Sequence, residues 1–207
     1  MGRASRADAA KHRAEVVIAT SKLLRERGAT AMTVQELMAA AGLTHGGFYK
    51  HFGSKEELVG IAATAAFDEI MALLVELAEE ADDPSTAQAD LARRYLSTEH
   101  RDSPGIGCAN TALATDAARS PADSPLRTSY AAGLQTTLER LTTYQETSGR
   151  TPEQARRRAI VDFATMVGAL TLARATSQTP LSEEILEVVR EAITETPPDA
   201  AVPTSTA

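Results

Sequence analysis

The apolar positions of this 207-residue chain recur at intervals of three and four residues, which is the period of an α-helix. The first such stripe runs from Val16 to Leu24, and Gly28 follows it as a natural helix end. Further stripes begin at Leu58 and Leu126. No stretch alternates with the period of a β-strand. The pattern therefore predicts an all-α protein of about nine helices.

Two short helices are predicted directly after the first stripe. Thr33 stands three residues before Glu36, which is the spacing of a capping box, and Gly42 supplies a backbone suited to a tight turn. A second short helix then covers about 44–52. Two short helices around a glycine turn predict a helix-turn-helix, which places its second helix in the major groove of DNA. A plain helical hairpin is the alternative.

The second short helix has one apolar and one polar side. Phe48 and Phe52 lie four positions apart and face inward together. Gly46 and Gly47 remove side chains at the helix start, so the backbone can approach a phosphate or a base. The remaining positions carry exposed polar side chains: Thr44, His45, Tyr49, Lys50 and His51.

Charge is unevenly distributed along the chain. Residues 1–55 hold nine Lys and Arg against four Asp and Glu, a net +5, whereas the remainder holds 12 and 24, a net −12. A basic head on an acidic body is expected when only the head contacts DNA. A solvated basic tail is the alternative interpretation.

A longer motif surrounds these residues. The sequence Gly42-Leu43-Thr44-x-Gly46-x-Phe48-Tyr49-x-His51-Phe52-x-Ser54-Lys55-Glu56-x-Leu58 resembles the DNA-binding signature of the TetR/AcrR family of transcriptional regulators. The resemblance implies a three-helix DNA-binding head and a helical body that binds a small ligand and forms a homodimer. We therefore expect a head at 1–55, a body at 56–195 and, from its Pro- and Thr-rich composition, a disordered tail at 196–207.

The resemblance also implies roles for individual residues on an operator of double-stranded DNA. Thr33 would meet phosphate, and Lys50 would reach a base or a phosphate. The positions nearest the base edges would be Thr44, His45 and Gly46, and those that hold the DNA backbone would be Tyr49, His51 and Lys55.

A head this small reads one short half-site, so specificity requires a dimer on a near-palindromic operator. The last two helices present apolar faces suited to a dimer interface, although such faces could instead complete the core of one protomer. The interface positions are Val161, Ala164, Gly168, Leu172, Ile185 and Val189.

The central helices would then enclose a small-molecule effector. A polar group in an apolar cavity orients a ligand, but every one of these positions also suits an ordinary core. The predicted lining is Phe67, Met71, Tyr95, Cys108, Asn110, Leu113, Tyr130, Phe163 and Met166. Cys108 is predicted in the first turn of a helix, where a thiol becomes more acidic, so redox or electrophile sensing is an alternative to a buried, inert cysteine.

Other classes of function lack their motifs. The sequence has no glycine-rich phosphate loop, no HExxH pair and no G-x-S-x-G elbow, and His45 and His51 have no partners at metal-ligand spacing. We therefore expect no enzyme, no metal and no cofactor. No apolar run approaches the ~18 residues of a membrane span, no secretory signal is evident, and a single cysteine suits the cytoplasm.

Together these patterns predict a cytoplasmic repressor that leaves a palindromic operator when a small molecule binds its C-terminal domain. A thiol-based sensor acting through Cys108 is one alternative. A helical interaction module without DNA binding is the other.

Overall fold

A computed structural model describes residues 6–80, 84–147 and 149–194. These residues contain nine α-helices, two 3₁₀ helices and no strand, which confirms the predicted all-α fold. The predicted tail at 196–207 lies outside the described residues. The helices are α1 (Arg6–Arg27), α2 (Val34–Ala40), α3 (Lys55–Glu80), α4 (Pro84–Tyr95), α5 (Thr98–Asp102), α6 (Ala109–Arg119), α7 (Pro125–Thr147), α8 (Pro152–Ala175) and α9 (Pro180–Thr194), with 3₁₀ helices at His45–Lys50 and Pro104–Ile106.

Capping boxes begin two of these helices. The Thr33 hydroxyl accepts from the Glu36 N–H, and the Glu36 carboxylate accepts from the Thr33 N–H at 2.8 Å. Thr151 and Gln154 form the same pair at the start of α8, with Pro152 in the first helical position. The hydrogen bonds to Thr33 also lower the pKa of the Glu36 carboxyl. Both helix starts are therefore fixed by local sequence.

The chain divides into two compact units, which interleave along the sequence. The first unit comprises the chain to Glu76 together with Glu99–Thr137, and the second comprises Leu77–Thr98 and the chain from Leu138. The first unit therefore holds the N-terminal helices and the segment from α5 to the first part of α7. Its buried core includes Val16, Leu24, Leu37, Phe48, Leu58, Ala62, Phe67 and Leu113.

The second unit contains a buried polar network. The Asp162 carboxylate on α8 accepts from Arg158 Nε at 2.7 Å and from Gln88 Nε2 at 3.1 Å. Burial raises the pKa of Asp162, while Arg158 opposes that rise. Helices α8 and α9 pack together, and the Ser182 hydroxyl donates to the Ala173 carbonyl at 2.7 Å.

Helix α3 differs from one expectation. Over Lys55–Leu77 it is long and apolar enough to cross a membrane by length and composition alone, contrary to the prediction that no such stretch exists. Leu58, Ala62 and Ala66 on this helix are fully buried in the core of the first unit. A core helix of a globular protein meets the same criterion, and α3 has that position here.

Candidate nucleic-acid interface

The predicted helix-turn-helix is built on a small apolar core. Leu37 on α2 and Phe48 in the following 3₁₀ helix are both fully buried. Between them Gly42 adopts φ +70°, a conformation that favours glycine, and the Leu43 N–H donates to the Met38 carbonyl at 2.9 Å. The turn therefore fixes the second short helix against α2.

The second short helix is a 3₁₀ helix over His45–Lys50, not the α-helix predicted over 44–52. Gly46 and Gly47 lower the helix propensity of this segment, and it has only six residues in which to propagate an α-helix. Thr44 is the N-cap residue, and its side chain makes no capping hydrogen bond.

The polar side of this segment faces outward. Tyr49 is 72% exposed, and its ring stands edge-on against the buried Phe48 ring with centroids 5.1 Å apart. Lys50 is also exposed, whereas His51 and Lys55 are half-buried. Thr33, Thr44 and Gly46 are exposed, and of His45 the structure describes only the backbone. The exposed members are accessible to a partner, while Phe48 in the same segment is fully buried.

Arg13 on α1 adds a basic side chain from outside the helix-turn-helix motif. Its guanidinium lies over the Phe52 ring, 5.1 Å from the centroid. Such a contact restrains a cation beside the predicted recognition segment. Arg13 and Phe52 are far apart in the sequence, so no local pattern predicts this contact.

Arg25 joins α1 to two other segments of the first unit. It is almost fully buried, and its Nη2 lies 2.6 Å from the Glu69 carboxylate on α3. Its Nη1 donates to the Gly107 carbonyl just before α6, and its Nε donates to the Ser21 carbonyl, both at 3.3 Å. Arg25 is one of the nine Lys and Arg residues of the segment 1–55, and its charge alone does not predict these contacts.

Asp116 provides a second attachment, near the far end of α6. Its Oδ2 accepts from the Ala29 N–H at 2.6 Å. Gly28 beside it adopts φ +80°, and an added Cβ there would lie 2.8 Å from the same carboxylate oxygen. Helix α6 is thus tied to the C-terminal end of α1 near both of its own ends.

The predicted ligand-lining residues fall into both units. In the first unit, Phe67 and Tyr130 pack edge-on with centroids 5.7 Å apart, and the Tyr130 hydroxyl donates to the Asn110 carbonyl at 3.3 Å. Leu113 is fully buried and Met71 is half-buried. In the second unit lie Tyr95, Phe163 and Met166, all buried.

Cys108 is the N-cap residue of α6, one position before the first turn in which it was predicted. It is 3% exposed, and its N–H donates to His100 Nε2 at 3.0 Å. The thiol therefore sits at a helix start but away from bulk solvent.

The predicted dimer faces are partly exposed. On α8, Val161 is 54% and Leu172 57% exposed, and Ala164 is exposed as well. A side chain added at Gly168 would meet open space. Ile185 and Val189 on α9 are half-buried, whereas Val188 is 56% exposed. An apolar surface of this kind is typical of an interface.

No three His, Cys, Asp or Glu side chains come together as a potential metal site within the described part of the chain.

Comparison with known proteins agrees with the helix-turn-helix geometry. Residues 17–60 match the model of the bacterial regulatory proteins of the tetR family. The HTH-type transcriptional repressor Rv3405c of Mycobacterium tuberculosis is 32% identical over 88 residues, as is the HTH-type transcriptional regulator Mb3439c of Mycobacterium bovis. These matches cover 42% of this chain and 42% of each relative, less than half of their length.

Solved structures share the fold over nearly the whole chain. A TetR transcriptional regulator from Chloroflexus aurantiacus has a TM-score of 0.76 at 24% identity and covers 91% of this chain and 97% of its own. Reduced NemR from Escherichia coli has a TM-score of 0.75 at 20% identity, with 88% and 95% covered. FadR from Bacillus subtilis, solved with stearoyl-CoA, has a TM-score of 0.66 at 16% identity, with 88% and 97% covered.

Proposed function

The chain belongs to the TetR family of bacterial regulatory proteins, and from that premise we propose that it is a ligand-responsive repressor. It binds a palindromic DNA operator as a homodimer in the cytoplasm and leaves that operator when a small molecule binds its body. It regulates transcription without catalysing a reaction.

The observation that carries the proposal is the exposed surface of the segment from Thr44 to Lys55. Phe48 and Phe52 are buried and hold this segment in place, while Tyr49 and Lys50 remain exposed. Aromatic hydroxyls and lysines are common donors to phosphate oxygens, and the backbone at Gly46 is open to close approach. Residues 1–55 act as the DNA-binding domain.

Residues 56–195 act as the ligand-binding and dimerisation domain. Val161 and Leu172 leave an apolar face of α8 exposed, and Val188 extends the exposed apolar area on α9. Burying these faces between two protomers removes apolar surface from water and pairs two heads on one operator.

Ligand-driven release is supported by the attachments of α6. Arg25 and Asp116 tie this helix to α1 of the head, and Asn110 and Cys108 of the predicted lining lie at its start. A ligand that favours one position of α6 shifts the population of head orientations, and loss of one half-site removes the bivalent advantage.

A thiol-sensing repressor acting through Cys108 is the second candidate. The N-cap position on α6 favours it, because a helix start stabilises a thiolate. The 3% exposure of Cys108 favours the ligand-gated form, since an oxidant needs access. Release from DNA by an electrophile that persists in Cys108→Ser would eliminate the sensing role.

Selection of bound duplexes from random DNA, at two salt concentrations, tests the proposed function. We expect an enriched palindromic motif and an affinity that falls steeply with salt, because phosphate contacts release counterions. A pool without any enriched motif would refute DNA-binding regulation.

A further inference from the structure

The side-chain amide of Asn110 is buried without a partner. Asn110 is the second residue of α6 and is 0% exposed. Its main-chain carbonyl accepts from the Tyr130 hydroxyl, but neither Nδ2 nor Oδ1 of its side chain has a hydrogen-bond partner among the residues that the structure describes. One buried group therefore offers an unused donor and an unused acceptor side by side.

A buried side-chain amide without a hydrogen-bond partner lowers the stability of a folded protein. Buried amides nearly always find partners, because an unmet donor or acceptor has lost its hydrogen bonds to water without replacement. Leucine has a similar size and would fill the same space without this cost. An asparagine at this position therefore indicates a partner that arrives from outside the chain.

Apolar and aromatic residues accompany Asn110 on α6 and α7. Asn110 shares a buried face of α6 with Leu113 and Ala117, and Tyr130 on α7 packs edge-on against Phe67. Burial raises the pKa of the Tyr130 hydroxyl to about 12, so this group is an uncharged donor at neutral pH.

Arg25, a charged residue that approaches the start of α6, is already paired with a carboxylate. Arg25 Nη1 reaches the Gly107 carbonyl, three residues before Asn110, but its Nη2 lies 2.6 Å from the Glu69 carboxylate. A second carboxylate would gain little from Arg25. It would also place an oxygen against Asn110 Oδ1, which is an acceptor.

We propose that Asn110 is the polar anchor of the effector site and binds an uncharged, largely apolar molecule that carries a carboxamide-like group. The ligand N–H donates to Asn110 Oδ1, and the ligand carbonyl accepts from Asn110 Nδ2. This pairing is complementary only for a group with a donor and an acceptor side by side, such as a primary amide or a lactam. The inference rests on the proposed function in that the bound molecule is the effector.

The position of Asn110 also connects the ligand to the head. Asn110 lies three residues after Gly107, whose carbonyl accepts from Arg25, and six before Asp116, whose carboxylate accepts from the Ala29 N–H. A ligand that pulls on the first turn of α6 therefore acts on both attachments of α1.

Three small probes of similar shape test the anchor. Benzamide carries the paired donor and acceptor, toluene carries neither, and benzoate carries a charge and no donor. Calorimetric titration of the full chain should show benzamide binding at least about tenfold more tightly than toluene, since two hydrogen bonds are added in an apolar site. Benzoate should bind more weakly than benzamide.

The test variant is Asn110→Leu, and its control is Gln135→Leu, which removes an exposed amide from α7 in the same unit. We expect Asn110→Leu to melt at the same temperature as the parent or higher, because an unpartnered polar group is gone. This variant should bind benzamide and toluene with about equal affinity. Gln135→Leu should keep the full preference.

Two results would overturn the anchor. One is a benzamide preference that survives in Asn110→Leu. The other is equal binding of benzamide and toluene to the parent chain, with an ordered internal water at the amide in a crystal structure. These binding measurements do not require DNA. If the benzamide preference is intact but the DNA selection enriches no motif, the repressor function is refuted and the proposed ligand site stands.

Discussion

Phe48 and Tyr49 are neighbours in sequence and opposite in environment. Phe48 is fully buried against the core of the head, and Tyr49 is 72% exposed beside it. Their rings remain in edge-on contact, so the buried residue orients the exposed one. At this scale the proposed DNA-binding surface is a set of single side chains, and the buried Phe48 ring supports the exposed Tyr49 ring.

Replacing Tyr49 or Lys55 by alanine tests the predicted phosphate contacts. We expect each change to weaken DNA binding about tenfold on all duplexes alike, because phosphate contacts carry no sequence information. Stability should change by no more than about 0.5 kcal/mol for the exposed Tyr49. Fluorescence anisotropy on two unrelated duplexes measures the effect.

Ile106→Ala is the control for these variants, because Ile106 is 76% exposed and lies outside the predicted recognition segment. Its DNA affinity should equal that of the parent chain. A loss confined to one duplex in Tyr49→Ala would assign this residue to base recognition instead.

The two glycines of the head have different predicted roles. Gly42 adopts φ +70°, so Gly42→Ala should lower the free energy of unfolding by about 1 kcal/mol. A Cβ at Gly46 meets nothing within 4 Å, so Gly46→Ala should remain as stable as the parent and lose DNA affinity about tenfold through crowding against the duplex.

Urea unfolding and DNA titration of the two variants separate these effects. Equal loss of affinity in both variants, with no loss of stability in either, would show that neither glycine has the assigned role.

At the scale of elements, local signals were predictable and distant contacts were not. The capping box at Thr33 involves residues three apart, so its residue types alone predicted the helix start. The 3₁₀ geometry of His45–Lys50 was missed, because the spacing of Phe48 and Phe52 suits an α-helix as well.

The attachments of α1 to α3 and α6 could not be predicted from the sequence. The Arg25–Glu69 pair spans 44 residues, and the Asp116 contact to Ala29 spans 87. The sequence around these residues contains no pattern that shows which of the many carboxylates of the acidic body makes each contact. The buried location of Asn110 was predicted, but its unpartnered amide was not, because hydrogen-bond partners depend on tertiary packing.

Removing the Asp116 carboxylate tests the attachment of α6 to the head. Asp116→Ala leaves the Ala29 N–H without its acceptor, so we expect the free energy of unfolding to fall by about 1 kcal/mol. Hydrogen exchange at the Ala29 amide should also accelerate. Asp123→Ala, an exposed carboxylate in the loop before α7, should change neither property. Unchanged exchange at Ala29 in Asp116→Ala would contradict this role of the contact.

At the scale of the whole molecule, the proposed function requires two heads acting together. The exposed apolar side chains of α8 and α9 are the proposed interface between two protomers. The proposed division between a DNA-binding head and a body agrees with the charge distribution, because the net charge of +5 lies in residues 1–55 and that of −12 in the remainder.

Leu172→Asp tests whether the α8 face pairs the protomers. A charge at this 57% exposed position should leave each chain folded but convert the dimer to a monomer, as measured by sedimentation. Affinity for a palindromic duplex should then fall by about 100-fold or more, because the bivalent advantage is lost. Ile106→Asp, the same kind of change at another exposed apolar residue, should remain dimeric. A dimeric Leu172→Asp would place the interface elsewhere.

The most direct test of the central claim is the stoichiometry and salt dependence of the complex with the duplex selected from random DNA. The proposed function predicts two protomers on one palindromic duplex, an affinity that falls steeply between two salt concentrations, and much weaker binding to a duplex with one half-site. One protomer bound equally well to the half-site and to the palindrome would contradict it.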